Sequence, residues 1–384
     1  MSNECAIDRI AGLHLPNQAP EVLAQEQYRT EECLMTFLGV ASDFAARDPD
    51  QGRQVVQIGV QLAQLVPPSD RQRQLLIRSM TLLASTLQAG DATAQAEGIY
   101  RTALELAVRA PVDFRVSGGL LRRFASLLRE RGQLEEALQT ANRAVELLQA
   151  PDPLPTPASD PVPSRQTDWP LQLGLALIER ARVLLDRQRT DDAIADLGLA
   201  LVALTPDHDR EIGISLDLLS QIAEGTSALD RLHCVARRVT SLRDRVDTRR
   251  LRPSTPDARL AARILRLDGR LFHRMGALRR AERSLRQARR LLHGPSDADE
   301  LLAVALDLAD LLAREGRQAE LRRLSTEVFE ELSEGGALRL TRYRWRRIMN
   351  SGHISIEDVE RIRQAFRDER ATGEIRQQLV AVSP

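Results

Sequence analysis

Arg263, Arg266, Arg270, His273 and Arg274 stand at i, i+3, i+7, i+10 and i+11. On an α-helix those offsets share one face. A row of guanidinium forks suits carboxylates or phosphates, each of which can take two parallel N–H bonds. Ile264, Leu271, Phe272 and Met275 fall on another face and are expected to pack against neighbouring helices. Acids are scarce nearby: residues 231–290 hold 19 Arg against 5 Asp or Glu, a net of +14. Residues 1–230 carry −11 and residues 291–384 carry −3, so the net charge of zero hides a polarised chain. The arginine face has three destinations: the acidic segment of a partner, an acidic segment of this same chain, or water.

Other chemistry finds little support. No GxGxxG, GxSxG or HExxH occurs. The six histidines are scattered, and His233 and Cys234, being adjacent, would point about 100° apart on a helix. All 54 basic residues are arginine, which removes a Walker lysine and a Schiff-base lysine; coding bias is the favoured cause, with avoidance of lysine-directed modification as the alternative. No catalytic residue, cofactor or metal is therefore expected, and the chain reads as a non-enzyme. Three cysteines, Cys5, Cys33 and Cys234, form no CxxC and suit a reducing cytoplasm. The first residues do not read as a signal peptide, and no run approaches the ~18 apolar residues of a membrane span. Basic and aromatic residues mix in RYRWRR (342–347), but Leu338, Trp345, Ile348 and Met349 form a helical apolar stripe, so Trp345 is assigned to a core.

The elements that must hold these residues are helices. Leu, Ala, Arg, Gln and Glu dominate, aromatics are 3%, and amphipathic helical period recurs along most of the chain. Gly and Pro punctuate it at Asp48-Pro49, Pro67-Pro68, Ala89-Gly90, Pro111, Gly132, Pro206, Gly225, Gly276, Pro295 and Gly316. The helices repeat in pairs. Ala125 is followed by Gly132, Ala137 and Ala144, with Pro151 beyond. Ala84 leads to Ala96, Tyr100 and Ala103; Ala181 to Ala193, Leu197 and Ala200; Gly269 to Gly276, Ala281, Leu285 and Ala288. Small residues belong where two helices cross closely, and larger ones fill the groove toward the next pair. A last pair at 304–335 has Leu321, Ser325 and Val328 in place of the alanines. Spacing predicts a further pair at about 211–245, with Ala228, Leu232 and Val235 in its second helix, and Leu38-Gly39, Gly52, Val56 and Gly59 suggest one at the start.

These motifs resemble the tetratricopeptide repeat (TPR) family, best in LLRRFASLLRERGQLEEALQTANRAVELLQAP (120–151) and over roughly residues 22–335. The interval of about 40 exceeds the usual 34, and this long-period form also resembles the helical regions of bacterial helix-turn-helix regulators. The resemblance implies an all-α, right-handed solenoid of about six or seven antiparallel helix pairs. It also implies a concave groove lined by the first helices, in which arginines hold carboxylates. Equivalent offsets add Arg122, Arg129 and Arg182 to the groove set, with Leu175 and Ile178 as an apolar patch and Arg78, Thr81, Ser85 and Gln88 as a polar one.

The expected organisation is an N-terminal segment (1–21), repeats (22–149), a Pro-rich insertion (150–170) with seven prolines and no helix, repeats (171–335), and a helical cap with a polar tail (336–384). Residues 246–259 are expected to be an exposed connection. The expected function is an adaptor or regulator that binds an acidic or C-terminal peptide of a partner protein. Nucleic-acid binding through residues 231–290 is the alternative, with self-association as a further option and no membrane partner.

Overall fold

The computed structural model describes residues 29–109, 112–150, 168–205, 208–225, 229–245, 255–293, 297–331 and 354–366. Among these, every long element is an α-helix: α1 (Glu31–Arg47), α2 (Pro49–Leu65), α3 (Asp70–Ala89), α4 (Thr93–Arg109), α5 (Phe114–Glu130), α6 (Leu134–Gln149), α7 (Asp168–Asp186), α8 (Thr190–Ala203), α9 (Asp209–Gly225), α10 (Leu229–Arg245), α11 (Pro256–Arg274), α12 (Leu278–Arg290), α13 (Ala298–Arg314) and α14 (Gln318–Glu331). A further helix, α15, spans 356–366. None of these is long and apolar enough to cross a membrane. The all-α fold expected from the sequence is the fold observed. The starts of successive first helices lie 39 to 54 residues apart.

Two compact units divide inside α8, between Asp196 and Leu197. In the first, α1 packs on α2, α3 on α4 and α5 on α6, and the first helices α1, α3, α5 and α7 also touch in succession. In the second, α9 packs on α10, α11 on α12 and α13 on α14, and α9, α11 and α13 touch in succession. First helices thus line up along each unit, so a side chain on one can reach the next.

The crossings are made by the small residues. Ala84, Ala96, Ala103, Ala125, Ala137, Ala144, Ala181, Ala193, Ala281 and Ala288 are fully buried. At Gly269 a Cβ would stand 2.6 Å from Leu285 Cγ and 3.2 Å from the Ala281 carbonyl oxygen, so α11 and α12 approach closer than alanine permits. The last pair replaces alanine with Leu321, Ser325 and Val328, all buried, and still packs. Ile354, Val359, Ile362 and Phe366, in and just before α15, join the same core and cover its apolar end.

One turn closes five of the pairs. In it the N–H of the second turn residue bonds the carbonyl three residues back, and the next N–H reaches five back. Examples are Gly132 to Arg129 (2.9 Å) and Gln133 to Leu128 (2.8 Å), and Gly276 to His273 (3.0 Å) and Ala277 to Phe272 (2.8 Å). This geometry needs a left-handed residue. Gly132, Gly276 and Gly316 supply it at φ +74°, +76° and +69°, but Asp91 and Gln188 occupy the same position at φ +60°.

The break expected at Ala89-Gly90 is where α3 ends, with Asp91 as the left-handed residue of the turn. Three sequence expectations change. Gly39 is exposed with open space beside it, and the close approach in the first pair is Gly52 against Ala45, where a Cβ would lie 2.4 Å from the Ala45 Cα. Helix α7 begins at Asp168, inside the segment expected to be Pro-rich insertion, because Pro170 sits in the first turn where its missing N–H costs nothing. Likewise Thr255 caps α11 by accepting the Ala258 N–H at 3.2 Å, with Pro256 and Asp257 in the first turn, so the connection expected through 259 is helix from Pro256. The pair inferred at 211–245 is α9 and α10, with Val235 buried; Ala228 and the Leu232 side chain lie outside the described residues. So do residues 1–21, Pro111, most of 150–167, Pro206, Pro295 and Trp345.

The turn generates a prediction. Gln188→Gly relieves a left-handed conformation that costs a side-chain-bearing residue about 1–2 kcal/mol, less the backbone entropy that glycine loses. The variant is expected to gain about 0.5–1 kcal/mol in urea denaturation, whereas Gly132→Ala, at the equivalent position, is expected to lose about as much.

Candidate carboxylate-binding site

The two units use their first-helix arginines differently. In the second, the α11 row meets an acidic row on α13. Arg263 donates to Glu300 from both Nε (2.7 Å) and Nη2 (2.6 Å). Arg266 donates from Nε to Asp307 Oδ2 at 2.6 Å, and Arg363 of α15 reaches Asp307 Oδ1 at 3.3 Å. Arg270 turns the other way, to α9, where it bonds Ser220 Oγ (2.9 Å) and Glu224, with its Nε 4.0 Å from Asp307. His273 Nδ1 stands 3.8 Å from Asp310 Oδ2, and Arg274 donates to the carbonyl of Ala223. Ile264, Leu271 and Phe272, on the opposite face, are buried as expected, and Met275 packs on the same core.

The electrostatics follow the geometry. Asp307 is buried, which alone would raise its pKa; Arg266, Arg270 and Arg363 outweigh that and hold it below the usual carboxylate range. Burial works against the charge on Arg266, and Asp307 more than offsets it, so the pKa of Arg266 is raised. Burial lowers the pKa of His273, with Asp310 opposing, so the ring is neutral at pH 7.

In the first unit one buried carboxylate, Glu179 on α7, accepts from Arg129 of α5 (3.0 Å) and from Arg182 (3.3 Å). Arg129 also reaches Asp186 at 3.4 Å. Arg180 is committed elsewhere, as a fork on Asp196 at 2.7 and 2.6 Å. Arg123 donates to Ser85 Oγ (2.7 Å), which bonds the hydroxyl of the buried Tyr100 (2.9 Å). Arg122 stands apart. It makes no hydrogen bond or ion pair with any described residue, and its buried Nε has no partner. Its pKa is pushed down to about 10, first by desolvation and then by the like charge of Arg123, with Glu179 only partly compensating.

The structure therefore brings Arg122, Arg129 and Arg182 near one another around Glu179, and the α11 set around Asp307. In the polar patch of α3, Thr81 and Ser85 turn inward, Thr81 bonding the Ile77 carbonyl and Ser85 bonding Thr81 and Tyr100, while Gln88 bonds Glu130 at the surface. Ile178, expected in an apolar groove patch, is a core residue instead, being 2% exposed. Sequence reasoning missed the acids. A signal was present, since Glu300, Asp307 and Asp310 stand at i, i+7 and i+10, the offsets of Arg263, Arg270 and His273.

Stability should follow this pairing. Asp307 has a depressed folded pKa, so its contribution is fully present above the unfolded value of about 4 and is lost as pH falls through the folded one. Glu282, lowered by Arg317 and Arg286, and Glu327, lowered by Arg289 and Arg323, act with the same sign. Urea midpoints are expected to be flat from pH 7 to 5 and to fall below about pH 4. Asp307→Asn, leaving Arg266 and Arg363 without their carboxylate, should cost about 3 kcal/mol at pH 7 and flatten the acid limb.

No protein-family model matches the sequence, and no curated protein matches it significantly. Among solved structures it is similar to BtubC from P. vanneervenii (16% identity, 64% of this chain and 91% of that one, TM-score 0.44). It is also similar to the apo form of RapI (10% identity, 89% and 98%, TM-score 0.43) and to the apo form of the quorum sensor NprR from B. thuringiensis (12% identity, 84% and 88%, TM-score 0.39). At these identities and scores no partner or activity carries over. The fold stands on its own geometry: paired helices crossing at small residues, one recurrent left-handed turn and stacked first helices make it TPR-like.

Proposed function

We propose that the chain is a non-enzymatic adaptor or regulator that binds an acidic or C-terminal peptide segment of a partner protein, with Arg122 as the anchor. The observation that carries this reading is the isolation of Arg122. A guanidinium desolvated by the fold and beside a second arginine costs stability unless something compensates it. Its neighbours Arg129 and Arg182 have Glu179, and the α11 arginines Arg263, Arg266 and Arg270 have Glu300, Asp307 and Glu224. Arg122 alone of this set is left for a carboxylate brought from outside. Arg129, Arg182 and Glu179 then hold the wall of the site, and Arg123, Ser85 and Tyr100 hold its floor.

Stability and binding should therefore move in opposite directions at this residue. Arg122→Met is expected to leave the thermal midpoint unchanged or raised, because it removes a buried charge that Glu179 compensates only in part and keeps most of the volume. The same change is expected to weaken a fluorescein-labelled acidic peptide with a free C-terminus at least tenfold in anisotropy titrations, as loss of a charge-assisted bond should. Equal binding of acidic and neutral peptides by the wild type, or unchanged binding by Arg122→Met, would overturn the reading.

A further inference from the structure

Helix α12, LRRAERSLRQARR, carries six arginines and a single acid, Glu282. The side toward α14 is closed by ion pairs. Arg286 reaches Glu320 at 2.7 Å, Arg289 reaches Glu327 at 2.6 Å, and Arg317, just before α14, reaches back to Glu282 at 2.8 Å. The outer side keeps Arg279, Arg280, Arg283 and Arg290 exposed, and no acid among the described residues pairs with any of them. Arg280 lies over the Phe272 ring, 3.8 Å from its centroid, and Arg322 of α14 is exposed and has no acid partner among the described residues. Arg279 and Arg283 are about 6 Å apart along the axis and Arg290 about 10 Å further on. Like charges so placed repel, and no acid among the described residues offsets them.

The surroundings select the occupant. No large hydrophobic side chain is exposed on α12, so a folded protein partner would find no apolar centre to bury there. Among the described residues, the outer helices of the first unit offer a second copy little matching charge, because their acids are largely engaged: Glu97 by Arg101 and Arg131, Glu135 by Arg187, Glu136 by Arg101 and Glu105 by Arg109. A phosphate backbone needs only charge at intervals. The stripe has no exposed aromatic ring for base stacking, which points to a duplex over a single strand. We propose that the outer face of α12 docks on double-stranded nucleic acid through its phosphates, without reading sequence. This surface is independent of Arg122 and of the peptide reading.

The test uses the full chain and fluorescein-labelled 25-base-pair DNA duplexes of two unrelated sequences, titrated between 50 and 200 mM NaCl. Wild type is expected to bind both alike, with log K falling against log salt at a slope of about −3, the value for three to four phosphates. Arg279→Gln, Arg283→Gln and Arg290→Gln together should cut the slope by more than half and weaken binding at least tenfold at 50 mM salt. The corresponding triple change to Lys should keep both, because point charges suffice. Arg122→Met should bind as wild type does. Circular dichroism and urea midpoints equal to wild type keep the triple variants interpretable, since these side chains are exposed; if the Gln triple does not fold, Arg283→Gln alone should lower the slope by about one. Absence of binding at 50 mM salt, a slope untouched by these substitutions, or binding only to phosphatidylserine vesicles would overturn the proposal.

Discussion

A carboxylate buried beneath a helix surface has to be neutralised by groups the fold itself provides, and Asp307 is the residue on which the second unit turns. Three arginines from two other helices converge on it: Arg266 and Arg270 from α11 and Arg363 from α15. Taking a carboxylate out of water costs several kcal/mol, and only close, well-directed cations return that. The arrangement consequently fixes the register of α11 on α13 and ties α15 over the end of the core. An apolar contact could slide by part of a turn; this one cannot without stranding a charge. The rest of the α11 row follows from the same register, with Arg263 on Glu300 and His273 beside Asp310.

The same architecture without matching acids gives the first unit its different character. There the first helices stack in the same manner, yet one buried carboxylate, Glu179, serves Arg129 and Arg182, and Arg122 is left over. Small residues at the crossings and a fixed turn make the first helices rigid rails, so an unmatched guanidinium cannot relax toward a distant acid. A paired and an unmatched guanidinium are thus two outcomes of one stacking pattern, decided by whether the next first helix carries an acid at the right height.

Much of the scaffold was legible in the sequence because it depends on local spacing. Ala125, Ala137 and Ala144 announced a crossing, and the spacing of the repeats exposed α9 and α10 even though their motif is weak. Glycine announced three of the turns, but Asp91 and Gln188 hold the same left-handed conformation without its signature. The arginine face of α11 was legible from helical period. Its partners were signalled only by the matching offsets of Glu300, Asp307 and Asp310; Glu300 and Asp307 lie 37 and 41 residues further on, and charge counted by segment separates what stacking joins. The isolation of Arg122 had no signature at all: on a helical wheel it is equivalent to Arg129, and only the position of Glu179 distinguishes them.

The account rests most heavily on the claim that the α11 arginines are structural counter-ions for α13. A charge exchange tests it directly. Arg266→Asp and Asp307→Arg, made singly and together, are compared by urea denaturation at pH 7. The account predicts that each single change is strongly destabilising and that the exchange recovers at least half of the summed loss, a coupling of about 2 kcal/mol or more. Additive losses, within about 0.5 kcal/mol, would show that the two charges do not depend on each other and would contradict it.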